Sequence, residues 1–523
     1  MSDSRSWKYP LALSKQEELI CSRLKSNGKL FVFLRKYRHQ IFTEELNQKL
    51  ISMYSEHPKG KPVVPASQLA MATLLQCYEQ KSDSSAVLEA LFDKRWQMVL
   101  DCLGCEKPPF SQGTLCDFRH RLVKHNLDEE LLSRTVEVAK ELGGFCYKQL
   151  RVALDSAPLQ GAGRVEDTFN LIGHALELLV NCAAEIKCTS EEKIIEESGT
   201  QLIGNSSIKA ALDIDWSIPS EKQRALKILL NDVALIHKWL STQPKYVTKH
   251  KELKEALSLL EHVITQNIDP DPDGEGPKMK EGVSKDRLIS LVDQDMRHGR
   301  KSKSKTINGY KQHIAIDLDH KLILATSLRP ANEPEHKASK KLKPKVEKFG
   351  EVISLSIDKG YLAADWTVQL YEAGKKVIAK PWSPPSNGKY SKKDFQINLE
   401  ENKVTCPANQ TVPIKGKPNK LRARFSNKLC DKCELKKNCS ESKSGRVISL
   451  HANEVMLQDL KYFSENKDGR AQARERVKVE HSLASICNRK GHRARYIGVR
   501  LNEYDLNRTA MISNLHVAMN LAA

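Results

Sequence analysis

The spacing of apolar residues divides the chain into regions with different expected structure. Over residues 1–130 the spacing is helical: ASQLAMATLLQCY predicts an apolar helix, and Ser82 or Asp83 could cap the next one. Ser111 or Thr114 could cap a later helix that carries several basic residues. We therefore predict an all-helical N-terminal domain over residues 1–130.

The pattern changes after residue 148. RVALDSAPL predicts a short strand that ends at Asp155 and a turn, within a strand region at 148–164. Residues 165–292 return to helical spacing and predict a helical insertion. Alternating apolar residues over 293–383 then predict a hairpin, a strand that ends at Asp358, a helix and a last strand. This order predicts a mixed α/β sheet with insertions.

A further helix is predicted in the stretch RERVKVEHSLASICNRKGHR, residues 474–493. Helical spacing places Glu480 in the middle of an apolar stripe with Val477, Leu483, Ala484 and Cys487. A carboxylate in such a stripe is costly unless it has a partner. Arg476, four residues earlier, could supply that partner as a local ion pair.

Charge narrows the function classes. Lys and Arg exceed Asp and Glu by 19, and the pI is near 9.2. An excess of this size favours a polyanionic partner, and nucleic acid before a membrane. The N-terminus has no apolar signal segment and no stretch has the length of a membrane span. The 13 scattered cysteines favour reduced thiols and a cytoplasmic location.

Asp155, Asp358 and Glu480 could converge where one sheet meets one helix. Ligands gather at the carboxyl ends of strands in open α/β sheets, although Asp is also a common turn residue. Three neighbouring carboxylates repel one another unless a cation joins them, and oxygen ligands suit Mg²⁺ or Mn²⁺. Two such ions can activate a water or a 3′-hydroxyl and stabilise the leaving oxygen of a phosphodiester.

These motifs resemble the transposases of bacterial insertion sequences that have an RNase H-like Asp-Asp-Glu (DDE) catalytic domain. Asp155 in VALDSAPL resembles the first acid of that family, Asp358 in SIDKGY the second, and Glu480 in RERVKVEHS the third. Arg476 matches the arginine of the family's tyrosine–arginine–glutamate–lysine signature. Ala473 and Cys487 stand where the tyrosine and lysine are often found. We expect Arg489 or Lys490 to replace that lysine in contacting DNA.

The resemblance implies a fold and a function. The expected fold is an RNase H-like mixed sheet with helical and cysteine-rich insertions, preceded by the helical domain, which would bind DNA. The core would span residues 293–383, and the catalytic helix and C-terminal helices 451–523. The implied activity is binding of terminal inverted repeats, cleavage of the element's ends, and joining of 3′-hydroxyls to target DNA. Asp155, Asp358 and Glu480 would hold two Mg²⁺ (or Mn²⁺), and a homodimer would act on paired ends near the bacterial nucleoid.

Two further clusters have alternative interpretations. Residues 384–450 contain a C-x23-C-x2-C-x5-C pattern that could bind a structural Zn²⁺ or consist of reduced thiols in a loop. Its residues are Cys406, Cys430, Cys433 and Cys439. The densest basic run, RHGRKSKSK, could contact phosphates or be a solvated loop. Its candidate contacts are Arg297, Arg300, Lys301 and Lys303.

Two alternatives to transposition follow from the same residues. One is a catalytically inactive or repurposed DNA-binding relative, which the presence of all three acids disfavours. The other is an RNase H-like nuclease, which the N-terminal helical block and the basic run disfavour.

Overall fold

The computed structural model describes the chain except residues 1–5, 26–27, 55–62, 205–206, 271–273, 275, 283, 285, 301–303, 382–388 and 418–419. Within the described residues, the N-terminal region is helical as far as Gly143. Ser82 accepts a hydrogen bond from the Ser85 amide, and Ser111 accepts one from the Thr114 amide, so these two serines are the N-caps. The helices are α1 (Lys15–Arg23), α2 (Lys29–Ile41), α3 (Glu44–Ile51), α4 (Ala66–Glu79), α5 (Asp83–Phe92), α6 (Lys94–Leu100), α7 (Gln112–Lys124) and α8 (Leu127–Gly143).

A first long strand and a helical region follow. Phe169, Leu226 and Leu260 are among the residues of a separate apolar core that the longer helices of this region build. The elements are β1 (Gln149–Gln160), α9 (Thr168–Lys187), α10 (Glu191–Ser198), α11 (Ile208–Ala211), α12 (Pro219–Ser241), α13 (Lys245–Thr248), α14 (Lys251–Asn267), β2 (Ile268–Asp269) and β3 (Lys278–Met279).

The remaining strands of the main sheet come next. They are β4 (Arg297–Arg300), β5 (Thr306–Asp317), β6 (Ile323–Pro330), β7 (Glu351–Ser356) and β8 (Lys376–Ile378), with helix α15 (His336–Glu347) between β6 and β7 and α16 (Asp365–Glu372) between β7 and β8. The sheet order is β4-β5-β1-β7-β8, and β6 also pairs with β5. β5 is antiparallel to β1 and β6, whereas β1, β7 and β8 are parallel to one another. The predicted class, a mixed α/β fold after a helical N-terminal region, is confirmed.

The end of β1 differs from the prediction. We predicted a strand that ends at Asp155, but β1 continues to Gln160 because residues 156–160 pair with β5. Leu159 on this extension is buried against Tyr310 and Met296. Asp155 therefore lies within a strand, at the point where β1 loses its other neighbour, β7.

The part of the chain between the last strand of the main sheet and the C-terminal helices forms a second sheet. Its five strands are in the order β13-β12-β11-β10-β9. The elements are β9 (Gln396–Asn398), β10 (Lys403–Thr405), β11 (Thr411–Lys415), β12 (Leu421–Phe425), α17 (Asn427–Asp431), α18 (Lys436–Cys439) and β13 (Arg446–Leu450).

Four helices complete the chain: α19 (Glu454–Glu465), α20 (Lys467–Glu475), α21 (Val477–Lys490) and α22 (Val499–Leu521). The last of these covers the free edge of β6. The Asn514 side chain accepts a hydrogen bond from the Ile323 amide at 2.7 Å and donates one to its carbonyl at 2.9 Å. The Asn507 side-chain oxygen accepts a hydrogen bond from the Thr326 hydroxyl on the same strand. Such contacts satisfy strand groups that would otherwise be left unpaired.

The N-terminal helices and the main sheet share one apolar core. It includes Phe31 of α2, Leu75 of α4, Leu154 of β1, Leu355 of β7 and Ile512 of α22. In the described part of the chain, no helix is both long enough and apolar enough to cross a bilayer.

Candidate active site

Asp155 and Asp358 lie side by side because of the register between two parallel strands. The paired stretch of β1 and β7 ends at Ala153 and Ser356. Each aspartate is two residues beyond that last pair, so both side chains emerge at the same edge of the sheet. Asp358 then begins a tight 3-10 turn, Lys359–Tyr361, and accepts a hydrogen bond from the Lys359 amide at 2.8 Å.

Glu480 reaches this edge from helix α21, which packs across β1 and β5. The face buried by α21 consists of Val479, Leu483, Ile486 and Cys487. Our prediction that Glu480 lies in the middle of an apolar stripe is therefore wrong: Val477 and Ala484 are exposed, and the Glu480 side chain is 46% exposed. Helix α21 is therefore oriented so that Glu480 lies outside its buried face and borders the site formed with the two aspartates.

Arg476 joins two of the three acids. Its guanidinium lies 2.7 Å from Glu480 Oε1 and 3.4 Å from Asp155 Oδ1. The first distance is the local ion pair expected from the sequence. The second links the catalytic-helix candidate to the central strand, and no i,i+4 rule could have predicted it.

The pKa of Asp155 reports the proximity of the other acids. Burial raises this pKa most, and the negative charges of Glu480 and Asp358 raise it further. The Arg476 charge and the hydrogen bond from the Ser156 amide act in the opposite direction. Burial is thus the main cause of the raised pKa of Asp155, and both Glu480 and Asp358 are close enough to act on this carboxylate.

Divalent cations fit this donor set. The three carboxylates offer hard oxygen ligands of the type preferred by Mg²⁺ and Mn²⁺. Their oxygens do not all lie within 4.8 Å of one another, so ligation of a shared ion would require the side chains to close inward. Among the described residues the acids that do meet this distance are Glu79, Glu89 and Asp93. Each of these three acids already has an ion-pair partner, either Lys81 or Arg95.

A fourth carboxylate, Glu335, lies beside the site and was not predicted. Its Oε1 accepts a hydrogen bond from the Ser156 hydroxyl at 2.7 Å. Gly360 leaves room for it, since a Cβ on Gly360 would lie 2.0 Å from Glu335 Oε2. Gly360, two residues after Asp358, was the available signal, but the stretch ANEPEH around Glu335 reads only as a turn.

Beneath the acids lies a buried tyrosine. Tyr361 is fully buried and its hydroxyl is 2.6 Å from His313 Nδ1. Burial raises the Tyr361 pKa well above its ordinary value, and the charges of Glu335, Asp155 and Asp358 act in the same direction. The Gly-Tyr that follows Asp358 thus forms the floor of the site.

The structure places the two predicted DNA-contacting residues of α21, Arg489 and Lys490, in different surroundings. The Lys490 side chain is 1% exposed and lies 3.3 Å from the buried Asp505, so our prediction that it contacts DNA is wrong. Its ammonium group is a partner for a core acid. Arg489 stacks over the Tyr78 ring at 5.4 Å and lines an open cleft with His481.

In the basic run, Arg300 is exposed on β4, whereas Arg297 is half-buried and donates to the Gln294 and Met296 carbonyls. Lys301 and Lys303 lie outside the described residues.

Helix α15 carries a basic surface that starts at the acidic site. The helix begins directly after Glu335, its exposed side includes Lys337, Lys340 and Lys341, and the exposed Lys348 follows its last residue. These lysines line a shallow concave surface with Arg329 and Lys345. The sequence predicted a basic helical connector here but gave no indication of its position next to the acids.

Comparison with known proteins indicates which class of protein this chain resembles. Residues 405–519, about a fifth of the chain, match a family model described as "Transposase DDE domain". The matched segment contains Arg476 and Glu480 but neither aspartate. The match supports a DDE transposase as the class of protein that this chain resembles.

Among solved structures, the chain is similar to one described as "Cryo-EM structure of piggyBac transposase synaptic complex with hairpin DNA (SNHP)". The two sequences are 11% identical, the match covers 69% of this chain and 71% of that chain, and the TM-score is 0.18. No curated protein matches the chain.

Proposed function

We propose that the protein is a transposase of a bacterial insertion sequence with an RNase H-like DDE core. It would bind the terminal inverted repeats of its element, cleave the DNA at each end, and join the freed 3′-hydroxyls to target DNA. The observation that carries this proposal is the convergence of Asp155, Asp358 and Glu480 on one edge of a mixed sheet, in a chain whose C-terminal part matches a transposase DDE domain.

We infer that each acid could reach the reacting phosphate from a defined position in the fold. Asp155 lies on β1 and Asp358 lies two residues beyond the end of the adjacent parallel strand β7, and Glu480 approaches from α21, which packs across β1 and β5. Two Mg²⁺ (or Mn²⁺) held by these acids would activate a water or a 3′-hydroxyl and stabilise the leaving oxygen. Arg476 holds Glu480 toward Asp155, and we propose that it keeps this orientation when DNA is bound.

The supporting shell keeps the aspartate strands in register. Ser156 donates to Glu335, which packs against Gly360, and Tyr361 fills the space below. These contacts tie the residue after Asp155 to the turn after Asp358. Since a misplacement of about 1 Å can cost ~100-fold in rate, this link would matter for catalysis.

The positive charge of the chain supports duplex DNA as the partner. The α15 lysines lead away from the acids along an exposed helix face, where they could follow a phosphate backbone. Arg300 and Arg489 are further candidates for phosphate contacts. A homodimer on paired element ends would bring two such sites to one target, as the resemblance implies.

A strand-cleavage assay tests the proposal. DNA from both flanks of the coding region would be incubated with the protein and Mg²⁺, and the products resolved under denaturing conditions. We expect the wild type and Asp365→Asn, an exposed aspartate on α16, to cleave and join, and Asp358→Asn to bind DNA without cleaving it. Binding without cleavage by the wild type would instead favour an inactive relative, and cleavage without joining a nuclease.

A further inference from the structure

The second sheet forms a small unit with a core of its own. Its buried apolar residues come from all parts of the segment: Phe395, Val404, Val412, Ala423, Phe425, Ile448 and Leu450. These seven residues serve a segment of roughly 60 residues, a size at which cores usually need disulfides, a metal or a larger partner. The segment has no disulfide among its described cysteines, all of which are free.

Four cysteines meet at one end of this sheet. Cys406 lies in the turn after β10, Cys430 within α17, Cys433 between α17 and α18, and Cys439 at the end of α18. All four line a single cavity, together with Phe395 and Phe425 of the small core. The fold thus brings Cys406 to the same cavity as three cysteines that follow it by 24 or more positions in the sequence.

The local backbone presents these thiols from two compact turns. The Asn409 amide donates to the Cys406 carbonyl at 2.8 Å, and the Cys406 amide bonds the Gln410 carbonyl. The Cys433 amide donates to the Cys430 carbonyl at 3.2 Å, which closes the C-x-x-C turn.

We propose that Cys406, Cys430, Cys433 and Cys439 bind one structural Zn²⁺. Four thiolates with no further ligand position are typical of closed, structural zinc sites. Arg446 and Lys436 line the same cavity and would offset the negative charge of a zinc tetrathiolate. As they stand, no three of the described sulfur atoms lie within 4.8 Å of one another, so the thiols would rotate inward on binding.

The ion would fasten α17 and α18 to the turn between β10 and β11. Helix α19, which follows this sheet, is linked back to it by the Lys392–Glu454 ion pair at 2.6 Å. Helices α20 and α21, with Arg476 and Glu480, come next in the chain. Zinc would therefore stabilise the segment that leads into the third acid without touching the reacting DNA, and the proposal does not depend on transposition.

Metal analysis of the full-length protein tests this site. We expect purified wild type to contain about one Zn²⁺ per chain and to give the charge-transfer bands of a cobalt tetrathiolate after replacement by Co²⁺. The double variant Cys430→Ser/Cys433→Ser should lose both signals. The matched control Cys146→Ser/Cys188→Ser, which changes two exposed cysteines outside the segment, should keep both.

A second measurement covers the case in which the variant does not fold. A mercurial reagent should release the zinc from wild type, and hydrogen exchange should then rise in residues 390–450 while the main sheet stays protected. Wild type without zinc or cobalt binding, an iron–sulfur chromophore instead of zinc, or full zinc content in the Cys430→Ser/Cys433→Ser variant would each overturn the proposal.

Discussion

The contact between Gly360 and Glu335 gives the sharpest test of how the site is assembled. Gly360→Ala adds one methyl group, whose carbon would lie 2.0 Å from Glu335 Oε2 and 2.8 Å from its Cδ. Ordinary contact begins near 3.4 Å, so the carboxylate would have to move by more than 1 Å. Gly360 has no positive φ, which means that the backbone itself accepts alanine. The effect should therefore come from the displaced carboxylate.

The expected size follows from the hydrogen bond that is lost. Moving Glu335 breaks its bond with the Ser156 hydroxyl, and a hydrogen bond to a charged group is worth about 1.5–3 kcal/mol. Glu335 is only half-buried, so we expect the lower end of this range. The alanine itself gains ~0.5 kcal/mol from reduced freedom of the unfolded chain. The net loss of local stability should be about 1 kcal/mol.

A double-mutant cycle with Glu335→Ala isolates this contact. In the Glu335→Ala background the clash is absent, so Gly360→Ala should be neutral or slightly stabilising, with a coupling of about 1–2 kcal/mol. Hydrogen exchange of peptides that cover β7 and the turn after it measures local opening of this region. Global unfolding of a chain with several cores would not isolate this local free energy. Equal effects of Gly360→Ala in both backgrounds would refute the reasoning.

Three further predictions concern charge. Lys490→Met should lower the thermal midpoint of unfolding and reduce the free energy of unfolding by about 2–4 kcal/mol. The reason is that buried Asp505 would then keep only one of its two cationic partners, Arg508. Burial opposes ionisation of Asp505, but Lys490 and Arg508 hold its pKa at about 2. The lowered pKa means that ionised Asp505 contributes about 2 kcal/mol to the free energy of unfolding above pH ~4, and this stabilisation is lost as the pH falls toward 2. In acid-unfolding measurements, Lys490→Met should move this loss to higher pH. Lys337→Ala/Lys340→Ala should reduce the salt dependence of DNA binding, with a slope smaller by about 1–2.

These predictions have separate controls. Lys490→Met should leave the salt slope of DNA binding unchanged, and a reduced slope at unchanged stability would restore it as a DNA contact. An acid transition unaffected by Lys490→Met would contradict the pairing with Asp505. Lys227→Ala/Lys254→Ala, on exposed positions of the helical insertion, should leave the slope as in wild type. The same decrease in both double variants would mean that α15 has no special role.

Local patterns predicted the elements well because their causes are local. The caps at Ser82 and Ser111, the β5–β6 hairpin and the helix after Asp358 all follow from spacing and turn chemistry. Asp155 and Asp358 could be expected near one another because ligands gather at the carboxyl ends of strands, although Asp155 lies within β1 and not at its end. The mixed α/β class followed from the same order of elements.

The errors arose where distant segments decide the outcome. β1 extends past Asp155 because β5, more than 150 residues later, pairs with it. Lys490 is buried because Asp505 on α22 needs a partner, although its own helix reads as a basic, exposed end. Glu335 enters the site through Ser156 and Gly360, and although Gly360 marks a place where space is needed, no local pattern identifies Glu335 as the residue that fills it.

The central claim is that Asp155, Asp358 and Glu480 act as one metal site. Mn²⁺ binding, followed by calorimetry and by loss of the free-ion electron paramagnetic resonance signal, tests it most directly. We expect Asp155→Asn, Asp358→Asn and Glu480→Gln each to abolish or strongly weaken the same binding event, and Asp365→Asn to bind Mn²⁺ like wild type. Wild-type Mn²⁺ binding by Glu480→Gln would contradict it, since the third acid would then lie outside the site.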